Sequence, residues 1–248
     1  MPSENHAQAL QVLSYVDLTS LNNDDDKTAI ESLCSKVSIG HQSVAAICVF
    51  PEWVATAKTY FEEQSLNIPI ATVTNFPDGS TNIERAVSET ERAIAAGAHE
   101  IDVVLPYRAL LNGDESTPAE LVRECKDVCG DEVALKVIVE SGELKTQDAI
   151  VAASEIAIAN GADFIKTSTG KVETNATLSA AQTMLGVIKA SGTDCGFKAA
   201  GGIRTVEEAM QYINLAEEIF GKDWVTPGHF RIGASSLLKD IQAIVDNH

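Results

Sequence analysis

Residues 156–170 read Ile-Ala-Ile-Ala-Asn-Gly-Ala-Asp-Phe-Ile-Lys-Thr-Ser-Thr-Gly, and this stretch decides the fold. The apolar segment before Gly161 has helical periodicity, and Gly161 can close that helix in the left-handed conformation. An alanine follows, then Phe-Ile-Lys, an apolar run too short for a helix that reads as a buried strand. A glycine-containing turn comes directly after it. The same device, Gly97-Ala98, stands ahead of residues 101–105.

Working outward, short apolar runs recur at 13–18, 45–50, 70–74, 101–105, 134–139, 164–166, 196–199 and 230–232. Rich in Val and Ile, they have the composition of parallel strands covered on both faces. Their centres lie about 30 residues apart, the length of one βαβ unit. The segments between them read as helices. Thr81-Asn-Ile-Glu84, Thr117-Pro-Ala-Glu120 and Thr205-Val-Glu-Glu208 each fit the capping box, in which hydroxyl and carboxylate satisfy free N–H groups of the first turn. Pro118 suits the first helical position, where no N–H is needed. No Gly/Ser/Pro-rich linker divides the chain, so residues 1–248 are expected to form one domain. Eight strands alternating with eight helices predict an α/β fold, a (β/α)8 TIM barrel. An open doubly wound sheet has the same alternation, because closure of the sheet is not visible in sequence.

The chain carries 36 acidic and 18 basic side chains, a formal net charge of −18. Such a surface repels nucleic-acid phosphates and anionic lipids, so neither nucleic acid nor membrane is an expected partner. An anionic ligand therefore needs a locally positive site. Residues 1–10 contain no Lys or Arg and no long apolar stretch, as a secretory signal would, and the cytoplasm is the expected location. Cys34, Cys48, Cys125, Cys129 and Cys195 are an odd, scattered set that argues against a disulfide framework. Cys125 and Cys129 share a helical face without a nearby His and read as buried thiols. The five histidines lack ligand spacing, so no metal is expected.

A charge inside a covered strand is costly unless paired. Yet Asp102 lies in Ile-Asp-Val-Val-Leu, Lys136 in Leu-Lys-Val-Ile-Val-Glu, Lys166 in Phe-Ile-Lys-Thr, and Lys198 in Gly-Phe-Lys-Ala-Ala-Gly-Gly, while Asp17 ends the first strand. One such residue reads as a solvated strand end or a structural ion pair. Five, on strands one, four, five, six and seven, read as a site, because barrel active sites draw on the ends of several strands. Adjacent strands are about 4.8 Å apart, so Lys166 and Lys198 are expected to lie close together. A neighbouring cation and burial both disfavour an ammonium ion. The neutral amine can attack a carbonyl and form a Schiff base, and a carboxylate such as Asp102 can move protons to and from the reacting carbons and hydroxyls. Two lysines and an aspartate suggest imine chemistry without specifying an aldolase.

Gly201 and Gly202 follow strand seven. Gly233, Ser235 and Ser236 follow strand eight at a helix start, and Thr169, Gly170 and Lys171 follow strand six. Loops after strands seven and eight of barrels commonly bind phosphate, where glycines let backbone N–H groups approach the anion and a helix end adds positive potential. With Arg204 nearby, these residues are candidates for a phosphate site. As turn residues alone they would carry no such meaning.

Several segments together resemble the deoxyribose-phosphate aldolase family. They are Asp17-Leu-Thr-Ser-Leu-Asn22, Ala46-Ile-Cys-Val-Phe-Pro51, Thr74-Asn-Phe-Pro-Asp-Gly79, Glu100-Ile-Asp-Val-Val-Leu105, Leu135-Lys-Val-Ile-Val-Glu140, Phe164-Ile-Lys-Thr-Ser-Thr-Gly170, Phe197-Lys-Ala-Ala-Gly-Gly-Ile-Arg204 and Phe230-Arg-Ile-Gly-Ala-Ser-Ser236. The resemblance implies reversible cleavage of 2-deoxy-D-ribose 5-phosphate to acetaldehyde and D-glyceraldehyde 3-phosphate, without metal or organic cofactor. It implies small phosphorylated sugars and aldehydes as partners, and a homodimer. It makes Lys166 the Schiff-base lysine, Lys198 the second lysine that lowers its pKa, and Asp102 the proton-transfer carboxylate. Asp17, Thr19, Cys48 and Lys136 then line the pocket, and Gly170, Lys171, Gly201, Gly202, Gly233, Ser235 and Ser236 hold the phosphate. Ala199 departs from the family, where many relatives have Pro. Many bacterial relatives also carry a tail ending in Tyr, whereas this sequence stops at His248. Proton transfer is therefore expected to rest on Asp102, Lys198 and bound water, with no part for His248. Another Schiff-base sugar-phosphate aldolase, a transaldolase-like enzyme and a non-catalytic phosphosugar-binding barrel are the competing readings.

Overall fold

Each apolar run of the sequence forms a strand: β1 (Val16–Ser20), β2 (Ala46–Val49), β3 (Ile70–Thr74), β4 (Glu100–Val104), β5 (Ala134–Ile138), β6 (Phe164–Lys166), β7 (Gly196–Ala200) and β8 (Phe230–Ala234). The computed structural model describes residues 4–247, and the expectations that concern His248 and residues 1–3 lie outside them. Every ladder of the barrel is parallel. β8 pairs back onto β1, with Asp17 beside Gly233, and this closes the sheet. Of the two sheets compatible with the sequence, the chain adopts the (β/α)8 barrel.

Helices Lys27–Cys34, Val54–Glu63, Ile83–Ala96, Ser116–Cys129, Gln147–Ala159, Leu178–Ser191, Val206–Phe220 and Leu237–Asp246 make the outer layer. A further helix, Glu4–Leu13, precedes β1 and packs against the last two of these. The first apolar run, read as 13–18, therefore begins too early. Leu13 ends this helix, and its full burial serves a helix as well as a strand. Among the described residues no helix is long and apolar enough to cross a membrane. All five cysteines are free and buried, with Cys125 and Cys129 on the buried face of Ser116–Cys129.

Alternation along the strands sorts their side chains to two sides. Ile101, Val103, Leu135, Val137, Ile165, Phe197, Phe230 and Ile232 join one continuous apolar core under the helices. Burying each such side chain is worth roughly 1.5–3 kcal/mol, which is where the fold draws its stability. Cys48, Ala71 and Val73 form a separate small cluster with Leu21. The charged residues of the strands alternate with the outer-core residues and so share the barrel interior.

The helix starts correct part of the sequence reading. Of the three capping boxes expected, one forms. Thr205 accepts the Glu208 N–H, and Glu208 accepts the Thr205 N–H in return. At the helix Ile83–Ala96, Asn82 takes the cap instead of Thr81, its amide oxygen accepting from Arg85 N–H at 3.0 Å. Ahead of Ser116–Cys129, Asp114 accepts from the Thr117 N–H and hydroxyl, and the helix begins at Ser116. In both cases a short Asn or Asp side chain closer to the free N–H groups displaces the threonine. Losing a working cap costs about 1 kcal/mol, which lowers Tm by roughly 2–4 °C in a chain of this size. Calorimetry of Thr205→Ala should show that drop. Thr81→Ala should melt with the wild type.

Candidate active site

Strand pairing fixes which charges meet. Asp102 and Lys136 are Cα partners across β4 and β5, Lys166 and Lys198 across β6 and β7, and Lys198 and Arg231 across β7 and β8. On β4 a spacing of two places Glu100 and Asp102 on the same inward face.

The result is a closed ring of alternating charges inside the barrel. Arg231 donates to Asp17 at 2.7 Å and to Glu100 at 2.9 Å. Asp17 also accepts from Lys198, which donates to Asp102 Oδ2 at 2.8 Å. Asp102 Oδ1 accepts from Lys136 at 3.0 Å, and Lys136 closes the ring by donating to Glu100. Every ring cation has two carboxylates, and every ring carboxylate has two ring cations. Lys166 hangs on this ring as a seventh charge. Its Nζ donates to Asp102 Oδ2 at 2.7 Å, the oxygen that Lys198 also uses. The two amines are therefore neighbours, as expected, with one carboxylate oxygen bridging them.

Burial alone would neutralise these groups, since moving an ion out of water costs several kcal/mol even after relaxation. Here the partners win. Burial pushes the Asp17 carboxyl up, but Lys198 and Arg231 together hold it well below the usual range. Asp102 is likewise held down by Lys136, Lys166 and Lys198 against its burial. Burial works against the Lys198 and Lys136 ammonium ions, yet Asp102, with Asp17 or Glu100, holds both above the ordinary lysine range. The Arg231 guanidinium is held on in the same way by Asp17 and Glu100. The ring thus sets three cations against three carboxylates.

Lys136 and Lys198 have no solvent exposure, while Lys166 retains 3 %. Lys166 is the lysine at the open end. Cys48 faces the same charges with its thiol pushed up to about 11 by burial, so it enters the site neutral. Thr19 is half-buried at the rim of β1, its hydroxyl donating to the Asp17 carbonyl.

The candidate anion loops lie on one side of the same end. Gly233, read from the sequence as following the last strand, lies inside β8, and its carbonyl accepts the Gly201 N–H, which sets the loop after β7 against the end of β8. Gly201 and Gly202 have φ of 86° and 87°, a conformation that a side chain would strain. Ser236 starts the helix Leu237–Asp246 without a capping hydrogen bond from its own side chain, and it and Ser235 are exposed. The Lys171 N–H donates to the Thr169 hydroxyl, and its Nζ reaches the Leu21 carbonyl beyond β1. Gly170 is exposed between them. Arg204 is exposed just after these glycines, its backbone N–H goes to Glu208, and among the described residues its guanidinium makes no hydrogen bond or ion pair.

Two members of the ring, Glu100 and Arg231, went unassigned in the sequence reading. The signal was present, since both are charges inside covered strands and meet the rule that singled out Lys136. What hid them is their place at the strand starts, which reads as a solvated end. Among the described residues no group of His, Cys, Asp and Glu side chains is arranged to hold a metal ion.

The sequence profile of the DeoC/LacD family aldolases matches residues 11–243. Among solved structures, an aldolase designated QR15 is 29% identical, with a TM-score of 0.80 over 96% of this chain and 97% of its own. A protein from Coccidioides immitis, provisionally described as a deoxyribose-phosphate aldolase, is 28% identical with a TM-score of 0.83, over 95% of this chain and 86% of its own. The deoxyribose phosphate aldolase from Aeropyrum pernix, described as tetrameric, shares the fold at a TM-score of 0.76 and 21% identity over 100% of both chains. The profile match extends from before β1 into the last helix and so takes in every strand of the barrel and its charged ring: the chain belongs to the DeoC/LacD family of aldolases.

Proposed function

We propose that this aldolase reversibly cleaves 2-deoxy-D-ribose 5-phosphate to acetaldehyde and D-glyceraldehyde 3-phosphate, with Lys166 as its Schiff-base nucleophile. The observation that carries the assignment of Lys166 is its place as the one unmatched cation on a neutral ring. An amine must shed its proton to attack a carbonyl. Each ring cation that did so would leave two buried carboxylates short of a partner. When Lys166 does so, the network is left with three cations and three carboxylates, and no uncompensated charge remains in the interior. The next buried carboxyl, Glu140, makes no ion pair with any of the four cations, and burial raises it above the ordinary range.

In the cleavage direction Lys166 adds to the aldehyde carbon of the open-chain sugar and loses water to give a protonated imine. That cation draws in the electron pair of the carbon–carbon bond two atoms away as the adjoining hydroxyl gives up its proton. D-glyceraldehyde 3-phosphate leaves, and protonation and hydrolysis of the remaining enamine release acetaldehyde. Asp102 touches both Lys166 and Lys198, a position suited to passing protons between the reacting centre and Lys198. Held well below its usual range, it stays a carboxylate between steps and carries a proton only in transit. Asp17 and Lys136 keep Lys198 and Asp102 charged and aligned. Thr19 and Cys48 line the pocket.

The loops with Thr169, Gly170, Lys171, Gly201, Gly202, Gly233, Ser235 and Ser236 take the phosphate, supported by free N–H groups at a helix start on an otherwise acidic molecule. Arg204 adds positive potential from the rim. A homodimer acting in the cytoplasm in deoxyribose catabolism is part of the same reading and rests on family membership. Light scattering would separate the dimer from the tetramer described for the Aeropyrum relative.

Borohydride added with deoxyribose 5-phosphate should fix a label on Lys166, with acetaldehyde as the released product. Lys166→Arg should abolish both labelling and turnover, because a guanidinium keeps its proton. Label found on Lys198 or Lys136 would overturn the assignment. Lys198→Leu removes a ring cation and gives Lys166 sole use of Asp102 Oδ2, so nothing offsets that carboxylate's hold on the ammonium ion. Activity near neutrality should fall and the pH profile of kcat/KM should move to higher pH; an unmoved profile would sink this role. Ser236→Asp sets a negative charge where the phosphate is to sit. It should raise KM for deoxyribose 5-phosphate far more than it affects unphosphorylated deoxyribose, whereas equal losses would argue against a phosphate site there.

A further inference from the structure

Glu140 stands outside the charged ring and makes no ion pair with a lysine. Its surroundings single it out. It is fully buried, and it follows β5 in the left-handed region, with φ 58° and ψ 56°. A residue with a Cβ occupies that region only where its surroundings over-determine it, and such positions concentrate at functional sites. Burial pushes its carboxyl above the ordinary glutamate range, against the pull of hydrogen bonds from Thr169. Lys166, Glu143 and Tyr107 are the other titratable groups that face it.

The contacts made by this carboxyl run in one direction. Its Oε1 accepts the Thr169 N–H at 3.1 Å. The Thr169 hydroxyl in turn accepts the Lys171 N–H at 3.0 Å. Gly170, exposed with φ 80°, lies between the two. The residues after Glu140 support the same loop from below. Ser141 N–H donates to the Thr167 carbonyl at 2.8 Å. Gly142 lies so close to the loop that a Cβ there would stand 1.9 Å from the Thr174 carbonyl oxygen. Glu140 Oε2 and the Ser168 hydroxyl are buried without a hydrogen-bond partner, on either side of the same junction.

We propose that Glu140 is a positioning residue for substrate binding: from behind the loop after β6 it fixes Thr169, whose hydroxyl pins the Lys171 N–H, and so holds the Gly170 N–H between them for the phosphate. This rests on the reading that the loop binds phosphate. Glu140 itself touches neither the phosphate nor the reacting carbons. The buried carboxyl serves because an acceptor placed behind the loop turns the Thr169 N–H inward, the Thr169 hydroxyl takes the Lys171 N–H, and the Gly170 N–H is left between them for the anion. A free loop would have to be ordered at each binding event, and that cost falls on affinity rather than on the chemical step.

Glu140→Gly deletes the carboxyl while easing the left-handed backbone, so the variant should fold. Glu140→Gln keeps an acceptor oxygen for the Thr169 N–H. In the glycine variant KM for deoxyribose 5-phosphate and Ki for inorganic phosphate should each rise about tenfold, the worth of one charge-assisted hydrogen bond. Its kcat should stay within about threefold, the pattern of lost ground-state binding. Glutamine should restore most of the affinity. Unchanged KM and Ki in Glu140→Gly would overturn the proposal, and so would a loss confined to kcat or a glutamine variant no better than glycine. Ser236→Asp in the same assays separates the two readings. If it leaves phosphate binding intact, the phosphate site is misplaced; if it weakens phosphate binding and Glu140→Gly does not, only the role of Glu140 fails.

Discussion

The ring Arg231–Asp17–Lys198–Asp102–Lys136–Glu100 is the constraint on which the rest of this molecule depends. Its closure ties six buried groups together at once. A chain of ion pairs with loose ends would leave its terminal members half-compensated in a dry interior, where each would tend to neutralise. Closure gives every member two partners. The ring contributes little to net stability, because desolvating its ions offsets much of the attraction between them. What it supplies is a fixed electrostatic background against which one additional lysine, Lys166, is singled out.

A ring of this kind needs a closed barrel. Its six members come from β1, β4, β5, β7 and β8, and no open sheet brings Asp17 of β1 against Arg231 of β8. The neutral apolar face of the same strands does the opposite work. Ile101, Val103, Leu135 and Val137 bury themselves against the helices and supply the stability that the charged interior does not. Charged and apolar residues alternate along β4 and β5, so both purposes are met by the same few residues.

The acidic exterior and the loops at the open end of the barrel form a second contrast. With a net charge of −18, the surface as a whole disfavours an anion. The loops after β6 and β7 carry left-handed glycines, and a helix starts after β8; on the proposed reading these features counter the surface charge for a phosphate. In the loop after β6 the Thr169 N–H is held by Glu140, a buried glutamate just beyond the end of β5. The charged ring and the loop after β6 thus share one strand, since β5 supplies Lys136 to the ring and leads directly into Glu140.

The sequence by itself determined the strands, their order and the kind of fold, because burial on both faces of a parallel strand demands runs such as Ile-Asp-Val-Val-Leu about 30 residues apart. It also singled out Lys166, Lys198, Asp102, Lys136 and Asp17 as charges that must meet inside the barrel, because a charge within such a run is costly unless paired. Helix caps were less legible: Thr81 and Thr117 fit the pattern, yet Asn82 and Asp114 take the work, since patterns do not rank rival acceptors a few ångströms apart. Only the tertiary structure decided that the sheet closes, that Glu100 and Arg231 complete the ring, that one carboxylate oxygen bridges Lys166 and Lys198, and that Glu140 turns back beneath a loop nearly 30 residues further on. Those facts depend on which strands become neighbours and in what register. Pairing between residues as distant as Asp17 and Arg231 is a property of the closed barrel, which no local stretch of sequence contains.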